Sequence, residues 1–239
     1  MSAGAVALIP ARAGSVRVPG KNVAPLAGHP LLAYSIAAAH ESGLFDAVVV
    51  STDSEAIADV ARRYGAEVPG LRPAELAGAT SPDIAWVQHV LAGTAYEIFS
   101  ILRPTSPFRR GATIRRAWDT LHATGADSVR AVRPVREHPG KMWRRSGEEI
   151  VPLLPQPPGE TPTHSRQTAA LEPVYVQDSS LEIAWTRIVA GGEIAGARVA
   201  YFECGELEGL SVDYPDELAR AQVLADEDPA RLPPVAVTA

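Results

Sequence analysis

Ala5-Val6-Ala7-Leu8-Ile9-Pro10-Ala11-Arg12-Ala13-Gly14-Ser15-Val16-Arg17-Val18-Pro19-Gly20-Lys21-Asn22 is the stretch on which the reading of the fold turns. Its first five residues are apolar without interruption and stop at a proline, the pattern of a short strand buried on both faces. The loop that follows carries Arg12, Arg17 and Lys21 and places Gly14 and Gly20 where a backbone can approach a ligand closely. Open N–H groups beside fixed positive charge are what a di- or triphosphate needs. A solvated basic loop reads the same way from composition alone. The P-loop is excluded, because five residues separate Gly14 from Gly20 and Asn22 follows Lys21. The G-x-G-x-x-G pattern is also missing from the sequence.

Working outward, Pro30 opens a helix in which Leu31, Leu32, Ser35, Ile36 and Ala39 recur at helical spacing up to Gly43. Ala47–Ser51 is a second buried strand. Thr52-Asp53-Ser54 caps a helix over Glu55–Tyr64, closed by Gly65. A helix over Pro82–Gly93, a strand over Glu97–Leu102, a helix over Ala112–Thr124 and a strand over Ser128–Val132 continue the alternation. Such alternation predicts an α/β domain with a mainly parallel sheet. Ligands in these sheets collect beyond the carboxyl ends of the strands, and loops 10–29, 51–54 and 103–109 all leave such ends.

From Arg133 to Pro173 the pattern breaks: prolines at 134, 139, 152, 155, 157, 158 and 162 preclude a long helix, and only short pieces such as Ile150–Leu154 suit strands. Strands over Ser179–Trp185 and Arg198–Glu203 and a helix from Pro215 to about Leu224 resume the core. The expected organisation is a core of residues 1–132 and 179–225, an insertion over 133–178, and a loose tail over 226–239.

Composition narrows the function. The 239 residues are 46% apolar and 21% charged, enough to bury a core, and 22 basic against 28 acidic side chains leave a net charge of −6. That balance argues against general nucleic-acid binding but allows a local anion cleft. Cys204 is the single cysteine, so no disulfide framework or Cys-rich zinc site arises within one chain. Neither a leader-like N-terminus nor an apolar run of about 20 residues appears, which predicts a soluble, cytoplasmic protein without membrane partners. The G-x-S-x-G and H-E-x-x-H signatures are missing too, so a serine hydrolase or a zincin has no foothold.

Two further stretches admit two readings each. Leu102-Arg103-Pro104-Thr105-Ser106-Pro107-Phe108-Arg109-Arg110 is either a basic, hydroxyl-bearing binding loop or a plain strand-to-helix turn. In Ser211-Val212-Asp213-Tyr214-Pro215-Asp216-Glu217, Asp213 is either a carboxylate for a hard cation or the cap of the last helix.

The stretches Ile9–Ser15 with Pro19, Lys21 and Asn22; Val50–Asp53; Leu71–Ala77; Leu102–Pro107; Ala126–Val129; and Ser211–Asp213 occur in an order that resembles the acylneuraminate cytidylyltransferase family. The resemblance spans roughly residues 5–224. It implies a nucleotidyltransferase fold (GT-A-like, Rossmann-like) with an inserted dimerisation element, CTP as donor, Mg²⁺ as cofactor, an acidic small-molecule acceptor and a homodimer. By position it implies that Arg12, Lys21 and Asp213 are catalytic, with Asp213 on the metal. Ala11, Arg12, Gly14, Ser15, Lys21, Asn22, Arg72, Thr80, Ser81 and Asp83 would bind the nucleotide. Arg103, Ser106, Lys141, Arg166, Gln167 and Asp178 would face the acceptor.

The sequence departs from the family pattern at three places. Val16 stands where a lysine is usual, with Arg17 as the neighbouring substitute. Pro215 occupies the second position of an Asp-x-Asp metal element. Val176 and Glu182 stand where sialic-acid enzymes carry the arginine and tyrosine that help hold the sugar acid. The nucleotide half is therefore kept and the acceptor half altered, which leaves a sialic-type sugar acid and a phosphonate such as phosphonoformate as acceptors. A sugar-nucleotide glycosyltransferase and an inactive nucleotide-binding protein are the readings from other classes.

Overall fold

The computed structural model describes residues 4–15 and 17–238. Ala5–Pro10 forms β1, Ala47–Ser51 β2, Ile98–Leu102 β3, Ser128–Pro134 β4, Tyr175–Trp185 β5 and Val199–Glu203 β6, in one sheet of order β6-β4-β5-β3-β1-β2. Helices α1 (Leu31–Ser42), α2 (Glu55–Arg63), α3 (Asp83–Leu91) and α4 (Gly111–Thr124) lie between the successive strands β1 to β4, β5 and β6 follow without an intervening α-helix, and α5 (Pro215–Glu227) comes last. This is the α/β alternation read from the sequence. β1 pairs in parallel with β2, Ile9 opposite Val50, and with β3, Leu8 opposite Ile101. β5 instead runs antiparallel to β3, with Glu182 opposite Ile101. A parallel neighbour needs a crossover, usually a helix, and the chain reaches β5 from the proline-rich 132–177 segment.

Both faces of β1 are covered. Ala5, Ala7 and Ile9 pack with Leu32, Ile36, Ile114 and Leu121, while Val6 and Leu8 pack with Trp86, Val87 and Phe99. A continuous apolar strand is what burial on both faces requires, and each fully buried aliphatic side chain contributes about 1.5–3 kcal/mol relative to exposure. α1 is buried nearly all round because a third cluster, including Leu31, Tyr34, Phe108, Val212 and Leu232, covers another of its faces. Gly43 ends α1 with φ 68°, the left-handed conformation a glycine adopts without steric cost.

The segment expected as a loose tail is ordered. α5 extends to Glu227, Leu232 is buried, and both the amide and the hydroxyl of Thr238 donate to the carbonyl of Arg63. Proline content suggested a solvated end, but Leu232 and Val235 lie against the third cluster and hold the segment down.

The chain divides into two compact units, one of residues up to Ala131 together with Asp178 onward, the other Val132–Gln177. The second unit contains an antiparallel hairpin of Trp143–Ser146 with Glu149–Pro152, and Trp143, Ile150 and Val151 are exposed on it. Among the described residues no helix is long and apolar enough to cross a membrane.

Candidate active site

Because β1, β2 and β3 run the same way, their carboxyl ends and the loops that leave them share one edge of the sheet. The Ala11 N–H donates to the Ser51 carbonyl (2.9 Å), carrying the β1–β2 ladder one residue beyond the strand. The turn then folds on itself. Asn22 Nδ2 donates to the Arg12 carbonyl (2.9 Å), the Ala13 N–H donates to Asp53 Oδ1 (2.7 Å), and the Ser15 N–H donates to the Ala13 carbonyl (2.8 Å). Among the described residues the Gly14 N–H has no partner, and a Cβ added at Gly14 would meet nothing within 4 Å. The Gly14 amide thus stays open between neighbours, Ala13 and Ser15, whose amides are engaged within the turn. Arg12 Nη1 donates to the Ala77 carbonyl (3.4 Å). Val16, where the family pattern has lysine, lies outside the described residues.

Lys21 Nζ reaches Asp213 Oδ1 at 2.8 Å, and Arg17 Nη1 stands 4.0 Å from the same oxygen while its guanidinium lies over the Tyr214 ring. Ser211 Oγ donates to Asp213 Oδ2 (2.7 Å). Burial would push the Asp213 carboxyl up, but the hydrogen bonds from Lys21 and Ser211 outweigh it and hold it below its ordinary 3.8. Asp213 does not cap α5: Glu217 Oε2 accepts from the Asp213 and Tyr214 amides (2.6 and 2.9 Å), so the helix caps itself and the Asp213 side chain is turned to Lys21. A carboxylate of this kind is the hard oxygen ligand that a divalent cation such as Mg²⁺ takes. An all-protein cage is not available, since the described residues contain no group of three or more His, Cys, Asp or Glu fit for a metal.

Of the residues expected around the base and the acceptor, Arg72, Asp83 and Arg103 form a second cluster. Arg72 is buried at the end of β2, where its Nε donates to Ser51 Oγ and its Nη2 to the Ser51 carbonyl, both at 2.9 Å, and its guanidinium lies over the Trp86 ring. Burial pulls its pKa down to about 10. Asp83 accepts from Arg103 Nη2 (2.5 Å) and from Trp86 Nε1 (2.8 Å). Against the upward push of burial, the Arg103 charge holds Asp83 below its ordinary value. Arg103 also reaches Glu182 Oε1 (3.2 Å), and Glu182, itself buried, pairs in addition with Arg130. Arg103 is therefore gripped by two carboxylates rather than standing free. Ser81 Oγ donates to the Glu75 carbonyl (3.0 Å), and Thr80 is exposed.

Ser106 is buried, its N–H donating to the Arg103 carbonyl (3.3 Å). Arg109, fully buried, ties that same carbonyl to Ser35 Oγ on α1 and to the Ser180 carbonyl on β5. Asp178 is buried, accepts from the Ser180 N–H (2.8 Å), and lies so close to Gly209 that a side chain there would collide with its carboxylate. Lys141, Arg166 and Gln167 belong to the other compact unit. There Lys141 Nζ donates to the Arg166 carbonyl (2.6 Å), and Arg166 pairs with Glu160.

The sequence model of the family described as "Cytidylyltransferase" matches residues 6–139, more than half of the chain. The chain belongs to the cytidylyltransferase family. Over 146 residues this family member is 47% identical to the CMP-N,N'-diacetyllegionaminic acid synthase of Legionella pneumophila, a match covering 59% of the chain and 62% of that protein. It is 45% identical over 113 residues to an Escherichia coli N-acylneuraminate cytidylyltransferase, covering 47% of the chain and 27% of that protein. A third relative, the pseudaminic acid cytidylyltransferase of Campylobacter jejuni, is 37% identical over 117 residues, covering 47% of the chain and 50% of that protein. The matches thus span less than two thirds of these relatives' lengths. Among solved structures, a CMP:2-keto-3-deoxy-manno-octonic acid synthetase complexed with CTP superposes with a TM-score of 0.71 at 15% identity, covering 94% of this chain and 99% of that one. At that identity the likeness shows the cytidylyltransferase fold alone.

The partners of several residues in this cytidylyltransferase-family member's candidate site were not legible in the sequence. Within the Thr52-Asp53-Ser54 cap it is Ser54 that caps α2, its Oγ accepting from the Ile57 amide (3.5 Å), while Asp53 accepts from the Ala13 amide. Glu182 and Arg130 were legible as charged residues inside apolar strands, an anomaly that signals a buried pair. Ser211 belongs to a stretch that carries the family resemblance, but its hydrogen bond to Asp213 had no sequence signal.

Proposed function

We propose that this chain is a CTP-dependent cytidylyltransferase that couples CMP to a nonulosonic, sialic-type sugar acid and releases pyrophosphate. The observation that carries the reading is the Lys21–Asp213 pair beside a turn that leaves the Gly14 amide open, all at the carboxyl edge of parallel strands. That edge supplies a cation for a triphosphate and an acid for a divalent ion. The curated relatives named above each carry a sugar-acid cytidylyl activity in their names, and this supports the acceptor class.

In the proposed reaction an acceptor hydroxyl attacks the α-phosphorus of CTP in line, the bond from that phosphorus to the α–β bridging oxygen breaks, pyrophosphate departs, and the hydroxyl proton passes to solvent or a base. The protein's share is positioning and charge neutralisation. Arg12 and Lys21 neutralise the triphosphate, the Gly14 N–H donates to one of its oxygens, and Arg72 and Asp83 shape the floor on the nucleoside side. Mg²⁺, when bound by Asp213, supplies further positive charge to the phosphate oxygens. The exposed apolar residues of the 143–152 hairpin support a homodimer formed through the inserted unit.

The test incubates the full chain with CTP, Mg²⁺ and a panel of sugar acids and phosphonates, reading CMP adducts by mass and pyrophosphate by a coupled assay. A sugar-acid adduct with equimolar pyrophosphate is expected, with turnover rising with pH as the attacking hydroxyl loses its proton. Arg12→Ala lowers turnover at least ~100-fold. Adducts with phosphonates alone, and no basic limb in the profile, would replace the acceptor class. Silence with every acceptor despite CTP binding would make the chain an inactive nucleotide-binding protein.

A further inference from the structure

We infer that Asp53, acting with Asn22, is a positioning residue for the nucleotide: the two side chains grip opposite ends of one peptide unit and so aim the Gly14 amide. The Arg12 carbonyl and the Ala13 N–H belong to the same planar peptide group. Asn22 Nδ2 donates to its oxygen at 2.9 Å and Asp53 Oδ1 accepts from its nitrogen at 2.7 Å. A plane held at both ends cannot rotate, so the direction in which the chain enters Gly14 is set before any ligand arrives.

Both grips are anchored in ordered structure. Asp53 stands between buried Thr52, whose Oγ1 accepts from the Ser54 amide (3.2 Å), and Ser54, which caps α2. Asn22 is buried in the 3₁₀ turn Lys21–Val23, so the segment that presents Lys21 also holds the Arg12 backbone. The clamp uses Asp53 as a hydrogen-bond acceptor. Its negative charge adds nothing favourable beside a triphosphate, so an uncharged acceptor of the same shape serves as well.

The inference rests on the proposal that this turn seats CTP, and the experiment separates the two. CTP binding to wild type, Asp53→Ala and Asp53→Asn is measured by calorimetry, with steady-state kinetics and hydrogen exchange over residues 11–15. In Asp53→Ala, the CTP Kd and KM rise about tenfold, the scale of one lost charge-assisted hydrogen bond. kcat stays within about threefold, as expected when binding is lost equally from ground and transition states, and exchange at residues 13–15 accelerates. Asp53→Asn stays within about threefold of wild type in every measure. Asn22→Ala, which removes the donor at the other end without adding charge, repeats the Asp53→Ala result and replaces it should that variant not fold. Asp53→Asn as weak as Asp53→Ala would show that charge matters and would overturn the clamp, as would wild-type CTP affinity in Asp53→Ala. No CTP binding by wild type would instead overturn the assignment of the turn itself.

Discussion

Replacing Asp213 by asparagine should strengthen CTP binding when no divalent metal is present. Lys21 Nζ is 2.8 Å from Asp213 Oδ1, and the two side chains are 15% and 32% exposed. Two unit charges at that distance attract by about 6 kcal/mol at an effective dielectric of 20. Exposure of Asp213 to water and the hydration both partners give up leave a net pairing of about 1 kcal/mol. A bare triphosphate must break this pair to reach Lys21, so Asp213→Asn binds CTP about fivefold more tightly in EDTA. The gap narrows in high salt, where partly exposed charges are screened. In Mg²⁺ the order reverses and turnover of the variant falls at least ~100-fold, the scale of losing one transition-state charge contact. Calorimetric titration in EDTA and in Mg²⁺, with pyrophosphate release in parallel, reads both halves. Weaker or equal CTP binding by Asp213→Asn in EDTA would refute the reasoning, because Asp213 would then not compete with the ligand for Lys21.

Gly14→Ala should fold with an unchanged melting temperature, since the added methyl meets nothing within 4 Å. CTP affinity should nevertheless drop about tenfold as the methyl enters the space beside the open amide, read by thermal melting and calorimetry. Leu232→Ala should cost about 2 kcal/mol in urea unfolding, as for other buried leucines, because Leu232 is packed rather than solvated. Asp83 has a folded-state pKa below its ordinary 3.8. Its contribution is therefore present above that value and lost as pH falls through the folded-state pKa. Asp83→Asn should be about 1 kcal/mol less stable at pH 7, the scale of a partly exposed ion pair. The difference from wild type should close at pH values below 3.8, followed by urea denaturation against pH.

The order of strands and helices was legible because β1, β2 and β3 are short apolar runs and the helices repeat their apolar residues at helical spacing, and both patterns are local. β1 reads as buried on both faces from five residues, and it is. The turn after β1 was legible as a basic, glycine-bearing loop. Its wiring was not, since Asp53 and Asn22 lie 40 and 10 residues from the groups they hold. The same limit applied to Asp213, whose sequence neighbours suggested a cap and whose partner Lys21 is 192 residues away.

Composition, the alternation of elements and the chemistry available at the strand ends were thus set by the chain as written, because they depend on neighbours within a few residues. Which amide stays open, which arginine is neutralised and which acid meets Lys21 were decided only when distant segments came together. Hydrogen bonds and ion pairs are contests among all groups within reach, and reach is a property of the folded chain. Arg103 shows the difference most plainly: expected from the resemblance to face the acceptor, it is held in the fold between Asp83 and Glu182.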